Sequence, residues 1–160
     1  MTIVERPANR ANWSTRAGAS IDAIILHDTG ARTAESTLKW FENPGAQVSS
    51  HYVIGRDGTI YRCVQDEAKA WHAGISALWS EDNLNRVSIG IELTNTGNEV
   101  YPEAQYQSLV DLTAQLVRRY RISLNRIVGH RHVCVPQGRK QDPNNHFPWF
   151  SYLIHVAKAV

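Results

Sequence analysis

The run IVGHRHVCVPQGRKQDP at 127–143 places His130, His132, Cys134, Lys140 and Asp142 within seventeen positions. Zinc ligation, anion binding and an irregular polar surface loop are the three readings these residue types allow. A catalytic zinc takes three protein donors and keeps a fourth position open, with imidazole, carboxylate and thiolate all suitable. His130 can supply one donor, and either Asp142 or the softer Cys134 can supply another. Spacing leaves that choice open, because a loop can bring back a residue four or twelve positions on. His132, two residues on from His130, is taken as the poorer candidate of the pair.

Another imidazole, His27 in IILHDTG at 24–30, closes an expected strand as His130 does in IVGH. Strand ends of α/β folds open into ligand crevices, so both rings are candidates to face a cleft. Position alone favours ordinary polar residues over ligands. Glu92 lies in SIGIELTN at 88–95, where it alternates with Ile89, Ile91 and Leu93 and so faces away from them. On a solvent-facing strand it would be a plain surface carboxylate; beside a metal it could take a proton from water. Lys140 is either a surface lysine or a charge placed to stabilise an oxyanion. In AWHAG at 70–74, Trp71 and His72 sit among small residues, a composition that suits either a sugar or peptide groove or a core tryptophan beside an exposed histidine.

The elements that must position these residues are legible from pattern. Strands are expected near 22–27, 51–55, 59–64, 88–94 and 126–130, and the Arg56-Asp57-Gly58 turn joins the second and third as a hairpin. A helix is expected over 102–120, where Tyr106, Leu109, Val110, Thr113, Leu116, Val117 and Tyr120 recur at helical spacing. A second covers 33–43 and stops at Asn43-Pro44-Gly45, and a third runs from Pro148 to the C-terminus. The result is an α/β fold, a mixed central sheet flanked by helices in a single domain over 1–160.

Chain-level properties exclude several classes. Lys and Arg exceed Asp and Glu by 17 − 15 = 2, with no long basic block, so nucleic acid is not an expected partner. No apolar run is long enough to span a bilayer. The N-terminal stretch lacks the apolar core of a secretory signal, so a cytoplasmic location is expected unless another route exports the protein. Cys63 and Cys134 are too few for a disulfide framework.

Taken in series, IILHDTG, SSHYVIGRDGTIYRCV at 49–64, AWHAG, LNRVSIGIELTN at 84–95, the Gly129-His130 pair and GRKQDPNNHFPW at 138–149 resemble the zinc-dependent N-acetylmuramoyl-L-alanine amidases of the type-2 family. That family also includes phage lysozyme-like amidases and peptidoglycan recognition proteins. The resemblance spans roughly residues 20–150. It implies Zn2+ held by His27, His130 and Asp142, with Glu92 as general acid/base and Lys140 polarising the scissile carbonyl. Trp71, His72 and Asn83 would contact substrate, which is peptidoglycan or its muropeptide fragments. Ser50 takes the place of a hairpin-region tyrosine found in other branches, which points to the bacterial cell-wall recycling and turnover branch. The connection at 131–138 is about two residues longer than usual there, and Asn83 stands where enzymes dedicated to anhydro-muropeptides carry an arginine, which implies a broader substrate range. The alternative is a non-catalytic peptidoglycan-binding module on the same scaffold.

Overall fold

The apolar run at 23–26 forms the centre of a sheet whose two faces are both covered. In the computed structural model, which describes residues 2–160, the strands in chain order are β1 Ile3–Glu5, β2 Trp13–Thr15, β3 Ala23–Asp28, β4 Tyr52–Ile54 and β5 Ile60–Arg62. They continue as β6 Ala68–Ala70, β7 Ala77–Leu78, β8 Glu81–Asp82, β9 Ser88–Leu93 and β10 Ile127–Gly129. The helices are α1 Ala34–Glu42, α2 Glu103–Tyr120, the single turn α3 His130–Val133, and α4 Trp149–Ala159. The main sheet has the order β1-β5-β4-β9-β3-β10 and is parallel except for the β4–β5 hairpin. Two small antiparallel ladders, β2–β6 and β7–β8, stand beside it.

The five expected strands, the hairpin and the three expected helices all form. The short strands β1, β2, β6, β7 and β8 were not expected from pattern. Of their residues only Ala70 is buried, so none of these segments carries the alternation that marks a strand. Helix ends follow local chemistry. Thr33 precedes α1 and its hydroxyl accepts the Ser36 N–H at 3.3 Å, which satisfies one of the donors a helix start leaves free. α2 begins after Pro102 and carries Glu103 in its first turn and Arg118 and Arg119 in its last, in the sense that complements the helix dipole.

One sheet face, formed by Ile24, Leu26, Ile54, Ile89, Ile91 and Leu93, packs on Leu109 and Leu116 of α2 and on Tyr152 and Val156 of α4. Inside that layer the Tyr152 hydroxyl is paired with Thr113 Oγ1 at 2.6 Å, so burial of the phenol leaves no unsatisfied donor. On the opposite face Val53 packs on Leu38 and Phe41 of α1, while Ile25 packs on Ala73, Leu84 and Val133. Glu92 does point away from the isoleucines, but toward this second layer rather than into bulk solvent.

A buried cation joins the second layer to the sheet. The Arg16 guanidinium, only 4% exposed, donates to the backbone carbonyls of Asp66, Asn85, Arg86 and Ser88 at 2.7–3.2 Å. These contacts hold the 85–88 segment at the mouth of β9. The Arg16 Nη2 atom also lies 2.8 Å from Nε2 of the fully buried His51, whose Nδ1 accepts the Gly90 N–H at 2.9 Å. Burial, then the adjacent guanidinium, push the His51 imidazole down to about 3.

That depressed value sets the sign of a pH effect. The folded state keeps His51 neutral while the unfolded chain takes up a proton near pH 6.5, so the contribution is complete above that value and is lost as pH falls toward 3. In chelated protein, His51→Asn is expected to flatten unfolding free energy against pH, between about pH 6 and 4, by up to about 1.4 kcal/mol per pH unit. Urea denaturation across that range reads the slope, and an unchanged slope would place the titration elsewhere. Gly58, at φ +86° in the hairpin turn, has space only for hydrogen: a Cβ there would lie 2.7 Å from the Ala104 carbonyl oxygen of α2. Gly58→Ala is expected to cost on the order of 1–3 kcal/mol, measured as a lower urea midpoint; an unaltered midpoint would contradict the close approach.

Candidate active site

Parallel register is what lines up the chemistry. His27 pairs with Glu92 across β3 and β9, and Gly129 of β10 pairs with Leu26 of β3. His130, one residue past Gly129, therefore comes level with His27, and the three side chains stand in a row at the C-terminal ends of adjacent strands. The loop after α3 returns Asp142 to the same place. It is held there by the Arg131 N–H, which donates to the Asp142 carbonyl at 2.8 Å, and by Asn144, whose backbone and side-chain N–H groups reach Asp28 Oδ2 at 2.8 and 3.1 Å. Asp28 is in turn fixed by the Tyr101 hydroxyl at 2.7 Å.

His27 Nδ1 and His130 Nδ1 are 3.0 Å apart, and each is 3.2 Å from Asp142 Oδ2. Among the described residues these three form the group able to hold a metal ion, with donor atoms within 4.8 Å of one another. The donor set fits zinc. His130 Nε2 donates to the Ala73 carbonyl at 3.0 Å, which leaves the neutral ring with a lone pair on Nδ1, aimed at the other two donors. A cation between them would relieve the mutual repulsion of two imidazole lone pairs and a carboxylate. Burial drives the His27 imidazole down to about 4, against the pull of Asp142, so the ring is in its neutral, donating form.

The group sits in a cavity of about 430 Å³ that is also lined by Glu92, Lys140, Thr29, Ser36 and Trp40. Glu92 is half-buried, and burial, followed by the charges of Asp142 and Asp28, raises its carboxyl to about 8 against the opposing Lys140 ammonium. A divalent cation nearby would pull this value back down, toward the range where a carboxylate serves as a base near neutrality. Lys140 is exposed and lines both this cavity and an adjoining one of about 250 Å³.

Other residues singled out from sequence fall in distinct places. Cys134 is buried away from the three donors, its sulfur 3.8 Å from the Arg131 carbonyl and 4.0 Å from the Lys140 carbonyl. His132 is exposed, accepts the Gly129 N–H at 3.0 Å and packs at a tilt against Trp149, with ring centroids 5.1 Å apart. The connection after α3 packs against the 73–76 segment: Val135 N–H and the Arg139 guanidinium both reach the Ile75 carbonyl, at 3.0 and 2.8 Å. Trp71 lines the smaller cavity, with its indole N–H on Ser14 Oγ at 3.2 Å. His72 lines both cavities but is only 6% exposed, and both its ring nitrogens are engaged within the protein, at His27 and Ser88. Asn83 is exposed, in a left-handed conformation that opens the turn at 84–86, and lines neither cavity; Asn85 is the asparagine on the smaller one. Ser50 is fully buried.

Sequence reasoning passed over Trp40, which lines the larger cavity while remaining 52% exposed. The signal available was its helical position: it follows Leu38 and precedes Phe41, both core residues, yet sits off their stripe. An exposed indole at a cavity rim presents a flat apolar face to a ligand.

The sequence profile of the N-acetylmuramoyl-L-alanine amidases matches residues 17–145. The 1,6-anhydro-N-acetylmuramyl-L-alanine amidase AmpD of Citrobacter freundii is 42% identical over 113 residues, covering 71% of this chain and 59% of that protein. The chain thus spans somewhat over half the length of that relative. A crystal structure of a selenomethionine derivative of AmpD superposes with a TM-score of 0.80 at 28% identity, covering 99% of this chain and 94% of the other. The amidase AmiD of E. coli, in complex with the substrate anhydro-N-acetylmuramic acid-L-Ala-D-gamma-Glu-L-Lys, gives a TM-score of 0.77 at 32% identity over 86% of this chain and 59% of that one. The mixed sheet, the row of side chains at its strand ends and these matches converge: the chain belongs to the type-2 N-acetylmuramoyl-L-alanine amidase family.

Proposed function

We propose that the protein hydrolyses the amide between the lactyl carbonyl of N-acetylmuramic acid and L-alanine in peptidoglycan or its muropeptide fragments, with zinc held by His27, His130 and Asp142. The observation that carries this reading is the convergence of the two Nδ1 atoms and Asp142 Oδ2, with Glu92 in register beside His27. A peptidoglycan-binding module needs no such convergence. The AmiD complex supports an anhydro-muramyl peptide as ligand class. Among the described residues no helix is long and apolar enough to cross a membrane.

Zinc at this site supplies a Lewis acid that lowers the pKa of water and draws charge from a carbonyl. The chain's own residues do the rest. Glu92 accepts the proton of the attacking water and delivers it to the departing alanine nitrogen, for which a carboxyl poised near neutrality is suited. Lys140 presents its ammonium to the cavity, where the carbonyl oxygen gains negative charge. The walls contributed by α1, with Trp40 at the rim, confine the sugar or peptide so that the scissile bond meets these groups.

Two outcomes test the assignment. Glu92→Gln is expected to keep wild-type zinc content and lose at least about 100-fold in turnover, measured by mass analysis of products from anhydro-muropeptides and from intact sacculi; normal turnover would remove Glu92 from the mechanism. Asp142→Ala is expected to lose zinc on metal analysis while Cys134→Ser retains it, and the reverse pattern would transfer the third ligand to the thiol.

A further inference from the structure

Metal ligation through Nδ1 requires that the proton of each neutral imidazole reside on Nε2. For His130 a backbone carbonyl, that of Ala73, imposes this. For His27 the neighbour of Nε2 is another imidazole, His72, whose Nδ1 lies 3.0 Å away. A histidine can donate or accept at that atom, so the arrangement by itself does not choose.

The choice is made two residues further out. Ser88 Oγ lies 2.6 Å from the Leu84 carbonyl, which can only accept, so the single hydroxyl proton is committed there. Toward His72 Nε2, 3.2 Å away, Ser88 can then only accept. His72 therefore carries its proton on Nε2 and a lone pair on Nδ1. That lone pair demands a proton from His27 Nε2, and the His27 lone pair is left on Nδ1, facing His130 and Asp142. The direction of three successive hydrogen-bonding groups, Ser88, His72 and His27, is thus dictated from one backbone carbonyl.

The surroundings hold this chain of contacts in place. The His72 ring lies over Gly90 of β9, where a Cβ would come within 2.5 Å of its Cγ. The backbone N–H groups of His72 and Ala73 both donate to Asn85 Oδ1, at 3.1 and 2.8 Å. Asn85 thereby seats the partner of each candidate ligand histidine, the His72 ring for His27 and the Ala73 carbonyl for His130.

We infer that His72, oriented by Ser88 and seated by Asn85, is a positioning residue that selects the metal-donating tautomer of His27. The inference rests on the zinc site proposed above. Three variants of the full chain separate the roles. His72→Phe keeps a ring but has no acceptor, His72→Gln restores an acceptor and a donor, and Ser88→Ala removes the group that orients His72. Zinc affinity is read by chelator competition, the His27 tautomer by long-range proton–nitrogen correlation in chelated protein, and folding by the thermal midpoint of the same sample.

His72→Phe is expected to weaken zinc binding on the order of 10- to 100-fold, as loss of an outer partner to a ligand imidazole does. Glutamine is expected to recover most of that loss, and Ser88→Ala to give an intermediate loss with His27 no longer held solely as the Nε2–H form. Folded His72→Phe protein with zinc affinity within about twofold of wild type would overturn the inference. If that variant does not fold, Ser88→Ala decides: unchanged affinity together with an unchanged His27 tautomer overturns it. Wild-type protein that takes up no zinc would overturn the underlying metal reading instead, and the same titration records which of the two has failed.

Discussion

Three electron-pair donors whose lone pairs point at one another are an unfavourable arrangement, and the centre of this protein is built to impose it. His27, His130 and Asp142 approach within 3.2 Å while each is tied from behind: His27 to His72, His130 to the Ala73 carbonyl, and the Asp142 backbone to the Arg131 N–H. Buried polar groups cost free energy unless paired, so these outward partners set both orientation and protonation. Much of the second layer over the sheet can be understood as scaffolding for them.

The scaffolding is hierarchical. Parallel pairing of β3 with β9 and β10 places the side chains at a common level, and no loop geometry is needed for that step. The 72–73 segment then supplies partners to both histidines and is itself fixed by Asn85. Asn85 belongs to the segment whose carbonyls surround the Arg16 guanidinium, a buried charge solvated by backbone oxygens instead of a carboxylate. Burial lowers the Arg16 pKa to about 10, which still leaves it charged at neutral pH and able to hold these carbonyls.

How much of this was legible in sequence depended on whether the determinant was local. The strands carrying His27, Glu92 and His130 were readable because apolar alternation and turn residues lie within a few positions. β1, β2, β6 and the β7–β8 ladder were not, because such short segments form by pairing with partners already in place. The side on which Glu92 stands was readable from alternation, but its environment was not, since the covering layer is assembled from distant parts of the chain. Trp71 and His72 illustrate the same limit. Adjacent in AWHAG, both line the smaller cavity, but the Trp71 indole N–H reaches Ser14 while both His72 ring nitrogens are committed at His27 and Ser88.

The chain by itself determined the inventory of donors, the strand ends that bear two of them, the hairpin, the helices and the family to which their order corresponds. Residue types and short-range periodicity carry that information. Spacing left Asp142 and Cys134 open, the family resemblance chose Asp142, and the tertiary structure brings Asp142 and not Cys134 to the two histidines; it alone decided that His132 turns to Trp149 and that the His72 ring nitrogens face His27 and Ser88. Those outcomes depend on where a loop is pinned by contacts with residues far away in sequence, here Arg131, Asn144 and Ile75 with their partners, and on hydrogen-bond direction. A donor's role is set by which lone pair remains free, and this can be counted only when every neighbour is known.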